Sequence, residues 1–350
     1  MTPRPRANLA DVPAYVPGRA AAADAFKLSS NELAFDPLPG VLDAAVAAVV
    51  RMNRYPDMGS QELYGALAEF CGVDQENLAL GTGSVGLLYG AILAFCEPGD
   101  EVVHAHRSFE AYPIACAVGA ARSVPVALTP DGRHDLSAMA EAITDRTRIV
   151  MVCTPNNPTG PAVSHAEVEQ FLARIPGHVL VILDEAYYEF VRMSDPLDAM
   201  AILQGRDNVA VCRTFSKAHG LAGLRVGYAV ASAEVARALR LVTLPFGVSA
   251  PAQAAAVASL AATDAMAERV DQVVAERARV ANGLREAGWD IPDPQGNFVW
   301  LPRAGPDVVA AATGAGVVVR PLGVGDPTGG VRITIGEPEG NDRVLTALAL

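Results

Sequence analysis

A lysine, Lys217, lies in the run Thr214-Phe215-Ser216-Lys217-Ala218, and an arginine follows eight residues later at Arg225. An amine flanked by two hydroxyls and trailed by a guanidinium suits a small molecule that carries both an aldehyde and a phosphate. The amine can condense to a Schiff base while the hydroxyls and the guanidinium hold the dianion. A lysine in such a loop can equally be a solvated charge, so the other polar stretches decide.

Gly81-Thr82-Gly83-Ser84-Val85-Gly86 has G-x-G-x-x-G spacing after one apolar run and before another. In that context backbone N–H groups and a helix terminus face a phosphate. A dinucleotide site would need an acid at the end of the next strand. Asp100 and Glu101 follow Pro98-Gly99 at that strand's start. Only the general phosphate reading survives, beside a tight turn with no ligand.

Asn157 sits in Asn156-Asn157-Pro158-Thr159-Gly160. Turn chemistry explains Pro158 and Gly160 but does not require Asn157, whose amide can donate to a ring oxygen. Asp184 opens Asp184-Glu185-Ala186-Tyr187-Tyr188 after an apolar run. A carboxylate at the end of a buried strand is costly unless paired. It caps a helix, or it pairs with a pyridinium nitrogen and keeps that ring protonated to accept carbanion electrons. Tyr187 is near enough to share a ring oxygen with Asn157. Arg332, in Gly330-Val331-Arg332-Ile333-Thr334-Ile335, and Arg320, ending another apolar run, both need partners. An internal salt bridge or a bidentate substrate carboxylate would serve. His104 and His106 share a strand face without a third ligand, so no metal is expected. The chain has no G-x-x-x-x-G-K-[ST] and no G-x-S-x-G, so neither a P-loop nor a serine-nucleophile elbow is supported.

These residues need a scaffold. Short β-branched runs at 78–80, 101–104, 149–153, 179–183, 209–213 and 227–230 alternate with helical stretches such as 85–95 and 165–174. That alternation predicts βαβ units, a largely parallel sheet and helices on both faces. Ligands then bind beyond the carboxyl ends of the strands, where residues 81–84, 154–157, 184–187 and 214–217 fall. After about 247 the pattern changes to a long helical region, 252–287, and shorter strands at 298–301, 317–320 and 331–335. Residues 1–30 read as an arm that packs on a smaller α+β domain (248–350) or on a partner subunit, with 31–247 as the large domain.

The 350 residues are 51% hydrophobic and 19% charged, a composition that folds with real cores. A formal charge of −12 with no basic cluster argues against nucleic acid and anionic membranes as partners. The cysteines Cys71, Cys96, Cys116, Cys153 and Cys212 form no C-x-x-C pair and read as reduced thiols of a cytoplasmic protein. Residues 1–10 lack an apolar stretch, so no signal peptide is expected. The uncharged runs 77–96 and 241–263 are broken by glycines and prolines, so no membrane span is expected either.

Taken together, these residues resemble the fold-type I, pyridoxal-phosphate-dependent aminotransferases of class I/II. Within them the chain is similar to the histidinol-phosphate and aromatic amino acid branch. The matching runs, in family order and over nearly the whole chain, include Leu28-Ser29-Ser30-Asn31-Glu32, Arg54-Tyr55-Pro56-Asp57, the Asn156 and Asp184 runs, Thr214-Phe215-Ser216-Lys217-Ala218 and Val331-Arg332-Ile333-Thr334-Ile335-Gly336. Arg107-Ser108-Phe109-Glu110-Ala111-Tyr112-Pro113 is more similar to the phenylalanine members.

The resemblance implies an α/β fold with a mostly parallel seven-stranded sheet, and a definite site. Lys217 holds the cofactor's aldehyde. Asp184 pairs with the pyridine nitrogen, and Asn157 and Tyr187 bond the ring oxygen. Phe109 stacks on the ring. Gly83, Ser84, Val85, Thr214, Ser216 and Arg225 take the phosphate. Tyr55 reaches that phosphate from the neighbouring subunit of a homodimer. Arg332 binds the substrate carboxylate with Asn157 close by, while Tyr15 and Arg320 line the side-chain pocket.

The implied activity is transamination of a phenylalanine- or tyrosine-type donor with 2-oxoglutarate, with histidinol phosphate as the alternative donor. A pyridoxal-phosphate decarboxylase, an NAD oxidoreductase resting on the glycine run alone, and a cofactor-sensing regulator are the remaining readings. One run departs from the family: Asn31-Glu32-Leu33-Ala34 stands where Asn-Glu-Asn-Pro is usual, which leaves side-chain preference open.

Overall fold

The computed structural model describes residues 2–4, 6–9, 12, 22, 24–323 and 328–349. Twelve strands occur among them: β1 (Phe26–Lys27), β2 (Leu78–Gly81), β3 (Glu101–His106), β4 (Arg122–Ala127), β5 (Thr147–Cys153), β6 (Leu180–Asp184), β7 (Val209–Thr214), β8 (Gly227–Ala231), β9 (Phe298–Pro302), β10 (Val317–Val318), β11 (Arg320–Leu322) and β12 (Gly330–Thr334). Seven form the main sheet in the order β2-β8-β7-β6-β5-β3-β4. Within it β8 runs antiparallel to both neighbours, and every other pairing is parallel.

The central strands are apolar on both faces because helices cover both. Along β5, Ile149, Met151 and Cys153 pack with Leu88 and Ile92 of helix Ser84–Phe95 and Tyr112 of helix Ala111–Val118. Val150 and Val152 point the other way, onto Val168 and Phe171 of helix His165–Leu172 and Ile202 of helix Ala199–Leu203. Each such buried aliphatic contributes about 1.5–3 kcal/mol. The expected α/β architecture is therefore present, with the strand ends left free to carry polar groups.

A second, antiparallel sheet has the order β11-β12-β9, and β1 pairs with β10 in a separate parallel ribbon. The expected strand at 317–320 is thus two strands in two different sheets, parted at Val319. The expected helical region 252–287 is two helices, Ala250–Leu260 and Thr263–Glu286, broken at Ala261 and Ala262. Strand β4 was not expected. It is an edge strand carrying Arg122 and Pro125, and it lacks the apolar run that marks its neighbours. Glu101, set aside as a ribose ligand, is buried and accepts from Arg122 Nη1 (3.0 Å) and Thr144 Oγ1 (2.6 Å). Of the N-terminal arm, β1 joins β10, while Arg6 and Asn8 donate to the Val118 and Ala117 carbonyls at the end of helix Ala111–Val118. Among the described residues no helix is long and apolar enough to cross a membrane.

Candidate active site

The carboxyl ends of β3, β5, β6 and β7, together with the β2–helix turn, converge on one cavity of about 250 Å³. Ser29, Ser30 and Glu32 close it from the N-terminal side, and Arg320 and Arg332 from the antiparallel sheet. Residues separated by some 300 positions thus meet over the edge of the main sheet.

Lys217 sits in this cavity just past β7. Its Nζ donates to the carbonyls of Ser30 (3.0 Å) and Asn31 (3.1 Å) and lies 5.6 Å from the Tyr187 ring centroid. Burial, and then the nearby Arg332 charge, lower its pKa to about 7. The amine is therefore substantially unprotonated near neutral pH and able to act as a nucleophile or a base.

Asp184 ends β6, flanked in register by Cys153 of β5 and Cys212 of β7. Its Oδ2 accepts from the Tyr112 hydroxyl at 2.7 Å, while its Oδ1 is buried without a partner. Burial raises the carboxyl to about 6, and the Tyr112 hydrogen bond pulls in the opposite direction. The Ala186 backbone N–H acts in the same direction as Tyr112, yet Oδ1 makes no hydrogen bond within the protein.

The phosphate-type cradle forms where the β2 turn meets the loop after β7. Gly83 has φ +76° and is the N-cap of helix Ser84–Phe95. A Cβ there would lie 2.6 Å from Arg225 Nη2, so only glycine lets the guanidinium approach the helix start. Arg225 itself has φ +55° and donates to Ser216 Oγ at 3.1 Å. Thr214 Oγ1 accepts from the Ser216 N–H at 3.1 Å. Gly227 is packed so closely that a Cβ would collide with the Ser84 backbone nitrogen, which pins β8 against this turn.

Phe109 lines the cavity, with its ring edge-on to Tyr112 (centroids 5.7 Å apart, 87°). Asn156 ties the loop before it to the loop after β5. Its Oδ1 accepts from Ser108 Oγ (2.7 Å) and is 3.1 Å from His134 Nε2, and its Nδ2 donates to the Arg107 carbonyl (3.0 Å) and to Thr159 Oγ1 (2.7 Å). Asn157 faces the cavity, but its Oδ1 accepts from Arg332 Nη1. Tyr187 accepts from Asn31 Nδ2 at 3.0 Å and so keeps its own proton to donate.

Arg332 also donates to the Ser29 carbonyl at 2.9 Å and lies over Phe298 at 5.5 Å. Directly across the antiparallel pairing stands Arg320, whose Nη2 is 2.7 Å from Glu110 Oε2. Tyr55 is outside the cavity: it is 81% exposed and stacks on Phe246 at 4.5 Å. Tyr15 lies outside the described residues.

Three residues with structural claims on this site escaped the sequence reading as individuals. Tyr112 holds Asp184, Asn31 holds Lys217 and Tyr187, and Asn156 holds the Phe109 loop. Asn31 and Asn156 stood inside matched runs, and Tyr112 stood three residues after Phe109, but a run alone does not say which side chain is buried and fully bonded. Among the described residues no group of three or more His, Cys, Asp and Glu side chains is arranged to hold a metal.

The family model for aminotransferase class I and II matches residues 23–348. An aromatic amino acid aminotransferase from Streptomyces coelicolor is 54% identical over 98% of this chain and 96% of its own length. One from Rhodococcus erythropolis is 53% identical over 99% and 95%. The solved structure of a histidinol-phosphate aminotransferase from Sinorhizobium meliloti, in complex with pyridoxal 5'-phosphate, superposes with a TM-score of 0.88 at 29% identity, covering 100% of this chain and 97% of that one. The chain therefore belongs to the class I and II aminotransferases and is a pyridoxal-phosphate transaminase of fold type I.

Proposed function

We propose that this enzyme transfers the amino group of a phenylalanine- or tyrosine-type amino acid to 2-oxoglutarate, giving the aryl 2-oxo acid and glutamate. The observation that carries the substrate class is identity above one half, along almost the whole chain, with relatives that bear the aromatic name. A Phe109-lined cavity is consistent with it. The second reading, histidinol phosphate as donor, is favoured by Arg320, a buried cation in the same cavity, and by the likeness to the S. meliloti enzyme.

The residues present fit pyridoxal phosphate. The unpartnered Asp184 Oδ1 suits a ring N–H, and the Gly83 turn with Arg225, Ser216 and Thr214 suits a dianion. When bound, the cofactor supplies an electron sink for a developing carbanion. Asp184 would hold the proton on its ring nitrogen, Phe109 would pack on its face, and Asn157 and Tyr187 would reach its ring oxygen. Gly83, Ser84 and Val85 at the helix start would join Thr214, Ser216 and Arg225 around the phosphate. Arg332, with Asn157 beside it, orients the substrate carboxylate. Lys217 takes the proton from the substrate α-carbon and returns it on the other side of the transfer, serving first as base and then as acid.

We also propose a homodimer, with units at 31–247 and 248–350 and an arm at 1–30. Leu42, Val46, Val50, Met52, Met58, Leu241 and Leu244 are exposed, and an apolar surface of this extent suits a protein interface. Tyr55 lies with Phe246 near that surface and would reach the partner's phosphate site. Five free thiols fit a reducing cytoplasm.

The test is a donor panel assayed with 2-oxoglutarate. Phenylalanine and tyrosine should give the highest kcat/KM. A higher value for histidinol phosphate would replace the proposed donor, and release of CO₂ without a 2-oxo acid would replace the reaction.

A further inference from the structure

Arg320 and Arg332 occupy directly opposed positions on β11 and β12. Both are buried, at 7% and 8% exposure, and both line the cavity. Like charges directly opposite across a strand pair are destabilising unless each is neutralised. Arg320 meets Glu110 at 2.7 Å, and Glu110 also lines the cavity. The two partners differ in exposure: the Arg320 side chain is 8% exposed and the Glu110 side chain 41%. Glu110 immediately follows Phe109 and is the N-cap of helix Ala111–Val118, but its side chain makes no capping bond. Its carboxylate is spent on the cavity arginine, not on the helix.

Under the transamination proposed above, one cavity must accept two unlike molecules in turn. One has an uncharged aromatic end, the other a carboxylate at its far end. We propose that Glu110 is the residue that lets one cavity accept both, standing in for the distal carboxylate of the 2-oxo diacid. With an aromatic substrate present, Glu110 keeps its ion pair with Arg320, so the aryl group packs beside a neutralised pair. With the diacid present, the substrate carboxylate takes Arg320 and Glu110 turns to water. The exchange conserves the ion pair on the buried partner. It asks only the half-exposed partner to move, and that carboxylate is readily hydrated. Glu110 is thus a specificity residue acting through Arg320, and this inference rests on the aromatic/2-oxoglutarate reading.

Glu110→Gln keeps the side-chain shape and removes the charge. Binding of two unreactive probes, glutarate and 3-phenylpropionate, is measured by calorimetry on the cofactor-loaded enzyme, alongside kcat/KM for 2-oxoglutarate and phenylpyruvate. In the variant glutarate should bind more tightly and 3-phenylpropionate more weakly, moving their Kd ratio by about 10-fold toward the diacid. The kcat/KM ratio should move the same way, through KM rather than kcat. Glu110→Ala should shift both ratios in the same direction. A ratio that stays fixed while both probes weaken together, or one that moves toward the aryl probe, overturns the role of Glu110 and leaves the activity standing. Wild-type enzyme that binds neither probe and turns over neither substrate sinks the activity and this inference together.

Discussion

The Tyr112 hydroxyl donates to one oxygen of the Asp184 carboxylate at 2.7 Å, and the other oxygen is buried without a hydrogen bond. The same tyrosine ring sets the edge-on position of Phe109. One buried side chain therefore orients both the acid and the aromatic group proposed to hold the cofactor ring.

Tyr112→Phe keeps the ring contact with Phe109 and removes only the donor. Hydrogen bonds to charged groups are worth about 1.5–3 kcal/mol, so cofactor affinity of the apoenzyme should fall by about 10-fold or more. Tyr112 pulls the Asp184 carboxyl down against a burial effect that lifts it to about 6. Without the hydroxyl that value rises. Wild-type cofactor binding should weaken as pH falls through about 6, and the decline in the variant should begin at higher pH. Titrating affinity against pH checks both statements, and unchanged curves would refute the coupling.

Lys217 should behave as an amine that titrates near neutrality. Burial and Arg332 bring it to about 7, so it is protonated and unreactive below that pH and increasingly nucleophilic above it. In the cofactor-free enzyme, labelling by trinitrobenzenesulfonate, mapped to the Lys217 peptide, should be half-maximal near pH 7. An ordinary lysine would require pH above 10. Lys217→Ala should lose turnover by about 10²-fold or more.

Asn31 is fully buried, with φ +55°. Its side chain bonds Tyr187 and Thr334, and its carbonyl accepts from Lys217 and from Asn297 Nδ2. Asn31→Ala leaves buried polar partners unsatisfied and puts a poorly suited residue in the left-handed region. The expected loss is about 2–4 kcal/mol, read as a lower denaturant midpoint. Activity should also fall in the fraction that remains folded.

Val46→Lys and Met52→Lys place charges at two of the exposed apolar residues proposed to form the dimer interface. If the proposed dimer forms through these residues and Tyr55 serves the partner's phosphate site, sedimentation should show dissociation to monomers together with weaker cofactor retention. Dimers that persist with both substitutions would place the interface elsewhere.

The sequence was most informative where chemistry and periodicity coincide. Asp184 and Lys217 each follow an apolar strand whose end faces the cavity, so their position after the run already located them. Tyr112 could not be found in that way. It lies at core spacing within helix Ala111–Val118, and nothing local shows that its hydroxyl meets a residue 72 positions on. Glu110 was hidden for the same reason, since its partner Arg320 is 210 positions away. Strand β4 escaped because an edge strand with half its residues wet does not need an apolar run. Val319 looked like the middle of a strand because β propensity does not register the change of sheet between β10 and β11.

The amine of Lys217 is held by the backbone at Ser30 and Asn31, and Asn31 is held in turn by Thr334 of β12. Thr334 belongs to the antiparallel sheet, whereas Lys217 follows β7 of the main one. Loosening the contact between the two sheets would therefore slacken the tether on the amine while β6 and β7, which carry Asp184 and lead into Lys217, stay paired.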